Sequence, residues 1–359
     1  MSSEQAPGAP PEIGGLPPPS GVIPNFTDPD SITTIAIVVA IVFLSLTTVT
    51  TSIRCYTKLF LIRKHGWDDY TMFMAWAGNV AYSGLEFYEC KYGAGVHQWD
   101  VLITEMGSFA RVAYFVEVLY PPVIALVKLS ICLQLIRIFV ANHGKEFWCI
   151  QIFIWINMSY FLTLTFFSIF QCNPIAKFWD VELQGHCFDL SEYFIATGIF
   201  NFVSDIVMLL FPLYCTWKLQ MSTKNKFGVS AIFFVGVLAL VSDALRIYYS
   251  VIYATSQDQT FNLTRLGTSA AGETTAGILA GNLVVFPKFF GTYYPKITRF
   301  GSGAVVSWKS RLTKRHTESS TSSSNEHDTG NILQDYGKLN DNTLAPTTSP
   351  SIWEPWTSS

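Results

Sequence analysis

Charge is what this sequence has least of. Only 14% of its 359 residues are Asp, Glu, Lys or Arg, against about a quarter in ordinary soluble domains, which excludes a cytosolic enzyme of usual composition. Residues 1–30 hold no Lys, no Arg and no Cys. Without a basic n-region they do not read as a cleavable signal peptide, and their Pro- and Gly-rich composition reads as a disordered tail. The six histidines, His65, His97, His143, His186, His316 and His327, all fall in connecting segments or tails, so a zinc hydrolase working inside a membrane has no ligands there. Phosphate-binding glycine loops and nucleophile elbows are absent. No Lys stands in the middle of the last apolar run to carry a retinal Schiff base. Catalytic residues, metal and cofactor are therefore not expected, and a net charge of −3 gives no footing for nucleic acid.

What is abundant is apolar. Half of the residues are hydrophobic and 15% are aromatic, with ten Trp, a composition suited to repeated passage through membrane interfaces. A helix needs about 20 apolar residues to cross a bilayer. Seven runs reach that length: Ser31–Ile53, Asp69–Glu89, Ala110–Ile136, Phe147–Phe170, Ser191–Cys215, Gly228–Ala254 and Ser269–Phe290. The second is the weakest, because Glu86 and Glu89 crowd its end. The sequence predicts an all-α membrane protein: a seven-transmembrane helix bundle over residues 31–300, between a disordered extracellular tail (1–30) and a disordered Ser/Thr-rich cytoplasmic tail (301–359).

Basic residues set the orientation. Of 23 Lys and Arg, sixteen lie in the connections after spans one, three and five and in the segment after span seven, while only Lys91, Arg111, Lys177 and Arg265 lie on the opposite side. The N-terminus is expected outside and the C-terminus inside, at the plasma membrane. Two sequons, at Asn25 and Asn262, fall on the expected outer face and are candidates for glycosylation. Cys172 and Cys187 flank one outer loop and are expected to form a disulfide, leaving Cys90 free.

Ionisable side chains inside a span are costly and point to function. Span three holds Glu117 and Lys128, eleven residues apart and so on one helix face. Span five holds Asp205, span six holds Asp243 and Arg246 at a spacing that permits pairing within the helix, and span seven holds Glu273. Counted from the inner boundary, Lys128 lies shallow and the others lie at mid-depth or further out. One reading is a structural network that fixes helix packing. The other is a pocket for a small polar or amphipathic ligand entering from outside, bound by Lys128, Asp205, Asp243, Arg246 and Glu273, with His97 at the outer mouth. At the inner face, Gly66-Trp67-Asp68-Asp69-Tyr70 reads as a helix start, an acidic cap with aromatic anchors, or as a lock onto Arg54 or Arg63. In the last tail, Arg311, Lys314 and Arg315 precede a Ser/Thr run, which reads as a solvated stretch or a phosphorylation-sensitive lipid patch.

Several short motifs recur in order along the chain: Arg54-Cys55-Tyr56, Gly66-Trp67-Asp68-Asp69-Tyr70, Tyr92-Gly93-Ala94-Gly95-Val96-His97, and Lys128-Leu129-Ser130 leading to Arg137. Cys172-Asn173-Pro174, Phe178-Trp179, Gly185-His186-Cys187, Asp205 ahead of Pro212, Trp217-Lys218-Leu219, Arg246 and Pro287 follow. In this order they resemble the fungal rhodopsin-domain family, seven-span integral membrane proteins of filamentous fungi, from about Ser31 to Phe300. Some members are grouped with plant-pathogen receptors resembling G-protein-coupled receptors, so the resemblance implies a receptor-like role and, by analogy, a heterotrimeric G protein as partner. The cysteine-rich extracellular domain of a subset has no counterpart in residues 1–30. Leu135-Ile136-Arg137 stands where animal receptors carry Asp-Arg-Tyr, and Val284-Val285-Phe286-Pro287 stands where they carry Asn-Pro-x-x-Tyr. The expected function is a receptor-like sensor of an extracellular small molecule or surface cue, not an enzyme, with the lipid bilayer and an unknown extracellular ligand as partners. A secondary transporter and a non-signalling membrane organiser are the alternatives. Pro121-Pro122 is expected to break span three, and no second half mirrors it as transporter repeats would.

Overall fold

The structure, a computed structural model, describes residues 13–139, 144–218 and 223–292, and their side chains except those of residues 139, 215–218 and 223–232. The tail expected over 301–359, with Arg311, Lys314 and Arg315, lies outside the described residues. Seven long helices are present among those described: α1 (Thr33–Tyr56), α2 (Trp67–Cys90), α3 (Ile103–Phe139), α4 (Lys145–Ile169), α5 (Leu190–Lys218), α6 (Thr223–Thr255) and α7 (Gln259–Leu283). Their ends meet alternately. Arg54 late in α1, Asp68 at the start of α2 and Arg137 late in α3 join at one end of the bundle, the aspartate end. His97, after α2, and Asp258, just before α7, join at the other. That second end also carries a two-stranded ribbon, β1 (Cys172–Asn173) and β2 (His186–Cys187), between α4 and α5.

Five of these helices, α1 and α3 to α6, are long and apolar enough to cross a membrane; α2 and α7 are not. The bundle is apolar outside and polar within. Ile152, Trp155, Leu162 and Phe166 of α4 and Val203, Val207 and Leu210 of α5 point outward. Asn79, Asn157, Asn201, Asp243 and Asn282 are buried. A soluble bundle shows the reverse, whereas spanning helices with satisfied backbones present apolar side chains to lipid. These helices imply a bilayer around the protein. The low hydropathy of α7 follows from its place: it packs against α1, α2, α3 and α6 and is buried along most of its length. Small residues there let neighbours approach closely, so that a Cβ on Gly277 would come within 2.6 Å of Val127.

Two expectations need correction. Helix α3 runs unbroken through Pro121 and Pro122. Two prolines remove two backbone donors, a loss tolerated inside a bundle where neighbours re-satisfy the freed groups. The last long helix begins ten residues ahead of the expected seventh span, at Gln259 rather than Ser269, and stops at Leu283; helical backbone resumes over 286–292, with Pro287 in its first turn, a position that needs no N–H. The chain ahead of α1 is irregular but tethered. Gly15 N–H donates to Val101 O at 2.8 Å, Ile103 N–H to Ile13 O at 3.0 Å, and Ile32 N–H to Gly95 O at 2.9 Å. Residues 13–32 therefore lie along the α2–α3 connection, while residues 1–12 of the expected tail lie outside the described residues.

Candidate functional site

Five of the six ionisable residues expected inside the spans come together as one buried cluster; Glu117 lies apart, in the lining of a cavity. Lys128 Nζ on α3 lies 2.5 Å from Asp205 Oδ1 on α5 and donates to the carbonyl of Asn201 at 3.4 Å. Arg246 Nη1 on α6 lies 3.0 Å from Glu273 Oε2 on α7. The Tyr120 hydroxyl binds all sides at once: it donates to Glu273 Oε2 at 2.7 Å and accepts from Asn201 Nδ2 at 2.7 Å and from Arg246 Nη1. Asp243, which is 0% exposed, has neither carboxylate oxygen hydrogen-bonded. It does not pair with Arg246 on its own helix, as the spacing had suggested, because the guanidinium turns across to α3 and α7. Lys128, at 2% exposure, belongs to the same network.

Above this cluster, toward the disulfide end, lies a cavity of about 470 Å³. Tyr120 and Arg246 form part of its lining, so the cavity and the charged cluster share two side chains. Glu86 and Glu89 of α2 and Glu117 of α3 also line it, together with aromatics including Phe109, Phe194 and Tyr253. Glu86 Oε2 and Glu117 Oε1 are buried without a hydrogen-bond partner. Phe178, within the segment bounded by the Cys172–Cys187 disulfide, and Phe188, directly after it, form part of the lining. That disulfide is formed as expected, and Cys90 is free. Such a space, apolar with a few polar groups converging on it, is the usual form of a small-molecule site.

At the aspartate end a second charged group ties four helices. Arg54 Nη2 lies 3.0 Å from Asp68 Oδ2 and 2.7 Å from Asp69 Oδ1, while Nη1 donates to the carbonyl of Gly281 on α7 at 2.8 Å. Lys58, in the π-helical turn Thr57–Ile62 that continues α1, reaches Asp69 Oδ2 at 3.0 Å. Arg137 of α3 holds Asp68 Oδ1 at 2.8 Å. Asp69 also accepts from Gly66 N–H at 3.1 Å, so cap and lock are both made, with Arg54 as the partner and Lys58 and Arg137 added to it. Gly66 has no Cβ for a reason: one would lie 2.7 Å from Arg137 Nη2.

His97 does not reach the cluster. It stacks between Trp99 and Phe261, and its Nδ1 lies 2.5 Å from Asp258 Oδ2, pinning the α2–α3 connection to the start of α7. Of the two sequons, Asn25 is exposed. Asn262 is 5% exposed within α7 and its amide donates to the Asp258 carbonyl at 2.8 Å, which leaves no room for a glycan in the folded protein. Sequence reasoning missed Tyr120, the hub of the network, since a Tyr in an apolar run looks like any other wall residue. Glu86 and Glu89 drew notice only as a weakness of span two; their carboxylates in an apolar run were the available signal for the cavity.

The fungal rhodopsin domain model matches residues 53–291, about two thirds of the chain. The chain belongs to that family. Both charged clusters and most of the cavity lie within the matched fungal rhodopsin domain. A SAT4 family membrane protein of Emericella nidulans is 34% identical over 237 residues, covering 66% of this chain and 57% of that relative. Fugralins biosynthesis cluster protein 2 of Gibberella zeae is 28% identical over 280 residues, 76% of this chain and 69% of that protein. Wortmanamides biosynthesis cluster protein C of Talaromyces wortmannii is 26% identical over 309 residues, 81% and 79% of the two chains. No solved structure matches the chain.

Proposed function

We propose that this chain is a seven-span, receptor-like protein of the plasma membrane, not an enzyme, with its N-terminus outside. It takes a small amphipathic molecule into the cavity at the disulfide end and relays the occupancy to the opposite face. The alternating helix ends support seven crossings, with α7 shielded from lipid by its neighbours. The sixteen-to-four distribution of basic residues supports the orientation. The observation that carries the sensing role is that Tyr120 and Arg246 line the cavity and also hold α3, α6 and α7 together. A bound molecule that draws on either side chain changes the balance between two packings of those helices. Two relatives take their names from biosynthesis clusters, a setting that suits a small organic ligand.

Filling the cavity tests the reading. Ala113 is buried and lines it, so Ala113→Phe occupies the space without touching either charged cluster. Cytoplasmic proteins cross-linked to a C-terminally tagged chain in intact cells are expected to change with this substitution while the amount of chain at the membrane stays constant. Recovery of a G-protein subunit names the partner; an unchanged set of partners ends the receptor reading. The topology has its own readout: a glycan at Asn25 and a C-terminal tag reached by antibody only after permeabilisation. The opposite pattern overturns the orientation.

A further inference from the structure

We propose that Asp205, Asp243 and Glu273 hold a sodium ion at the centre of the bundle. One carboxylate oxygen from each of the three lies within 4.8 Å of the other two. Oxygens sharing a hard cation at about 2.4 Å stand no further apart than about twice that distance, so the three are spaced to share one. The charges also call for it. Two cations, Lys128 and Arg246, face three carboxylates; Lys128 is engaged by Asp205 and Arg246 by Glu273. Asp243 has no ion-pair partner among the described residues, and its carboxyl faces that of Asp205. It is fully buried with both oxygens unpartnered, and Glu273 Oε1 is unpartnered as well. An uncompensated carboxylate in such a place is strongly unfavourable.

A neutral ligand points the same way. Asn201 is fully buried, its Nδ2 is committed to the Tyr120 hydroxyl and its backbone carbonyl to Lys128, yet its side-chain Oδ1 has no partner. Carboxylate and amide oxygens are the donors hard cations take. Charge selects among them: one monovalent ion makes the cluster neutral, while a divalent ion leaves a buried positive charge in excess.

Thermal unfolding of the purified full chain in detergent tests this. Sodium chloride is expected to raise the midpoint by about 3 °C over N-methyl-D-glucamine chloride at equal ionic strength, the shift for an ion at roughly ten times its Kd. Potassium chloride should raise it by less. Asp243→Asn is expected to abolish the sodium shift and, without sodium, to be at least as stable as the parent, because it removes the uncompensated charge. Should that variant fold poorly, radiolabelled sodium bound to the parent provides the second measurement: saturable binding near one ion per chain, displaced by unlabelled sodium and poorly by potassium. Midpoints indifferent to sodium but sensitive to pH mean that a proton fills the site and overturn the proposal. A sodium shift retained in Asp243→Asn, an equal shift with potassium, or the absence of saturable sodium binding does so as well.

Discussion

The two charged clusters solve the same problem in opposite ways. At the aspartate end, three cations, Arg54, Lys58 and Arg137, surround two carboxylates, and each carboxylate has more than one partner. In the middle of the bundle, two cations face three carboxylates, and each cation has one ion-pair partner. The first is redundant and edges toward solvent at Arg137, whose side chain is 34% exposed. The second is more deeply enclosed, its most exposed side chain being Asp205 at 13%, and is short of positive charge. Redundancy marks a fastening; a deficit deep in low dielectric marks a place where something else binds, since such a deficit is costly to leave open.

That contrast can be broken by substitution. Glu273→Ala takes from the buried Arg246 its ion-pair partner and leaves Tyr120 and Thr197 as its hydrogen-bond partners, and the loss of folding stability is expected to be about 3–5 kcal/mol. Chemical unfolding in detergent or the yield of monodisperse protein would register it. Arg54→Ala should cost less, about 2 kcal/mol, because Lys58 and Arg137 still hold both aspartates. An effect as large as that of Glu273→Ala would show that the redundancy is only apparent. Gly66→Ala forces Asp68 and Arg137 apart at their flexible ends, a cost of about 1 kcal/mol, read in the same assay. Smallest is Arg137→Ala, at about 0.2–1 kcal/mol for a partly exposed pair. The double variant Arg54→Ala/Glu273→Ala should be additive within about 0.5 kcal/mol, since the clusters share no side chain; a larger interaction term would mean that the two ends communicate.

Much of the architecture was legible from the sequence, for reasons that differ by element. Apolar length reveals α1 and α3 to α6 directly, and the side on which basic residues gather orders the connections. The start of α7 was hidden because Thr260, Asn262 and Thr264 look like loop, and only packing against other helices makes them helical. Pro121 and Pro122 misled for the opposite reason: their local cost is real, but the bundle absorbs it. In the site, the charged residues announced themselves because the bilayer makes each one exceptional. Their pairing did not, since Lys128 meets Asp205 and Arg246 meets Glu273 across helices whose rotation no spacing along one chain reveals. Tyr120 carries no charge to betray it, and its role rests entirely on three neighbours brought from α5, α6 and α7.

The helix at the centre of the bundle is also the last of the seven to leave the ribosome. Until Gln259–Leu283 emerges, α1, α2, α3 and α6 lack the helix they pack against, with Arg246 lacking its carboxylate and Arg54 lacking the Gly281 carbonyl. Too polar to partition into lipid by itself, α7 depends on those helices for its entry. Assembly of this protein is accordingly completed from the inside, and a chain stalled before residue 259 would expose to quality control the very charges that the finished molecule conceals.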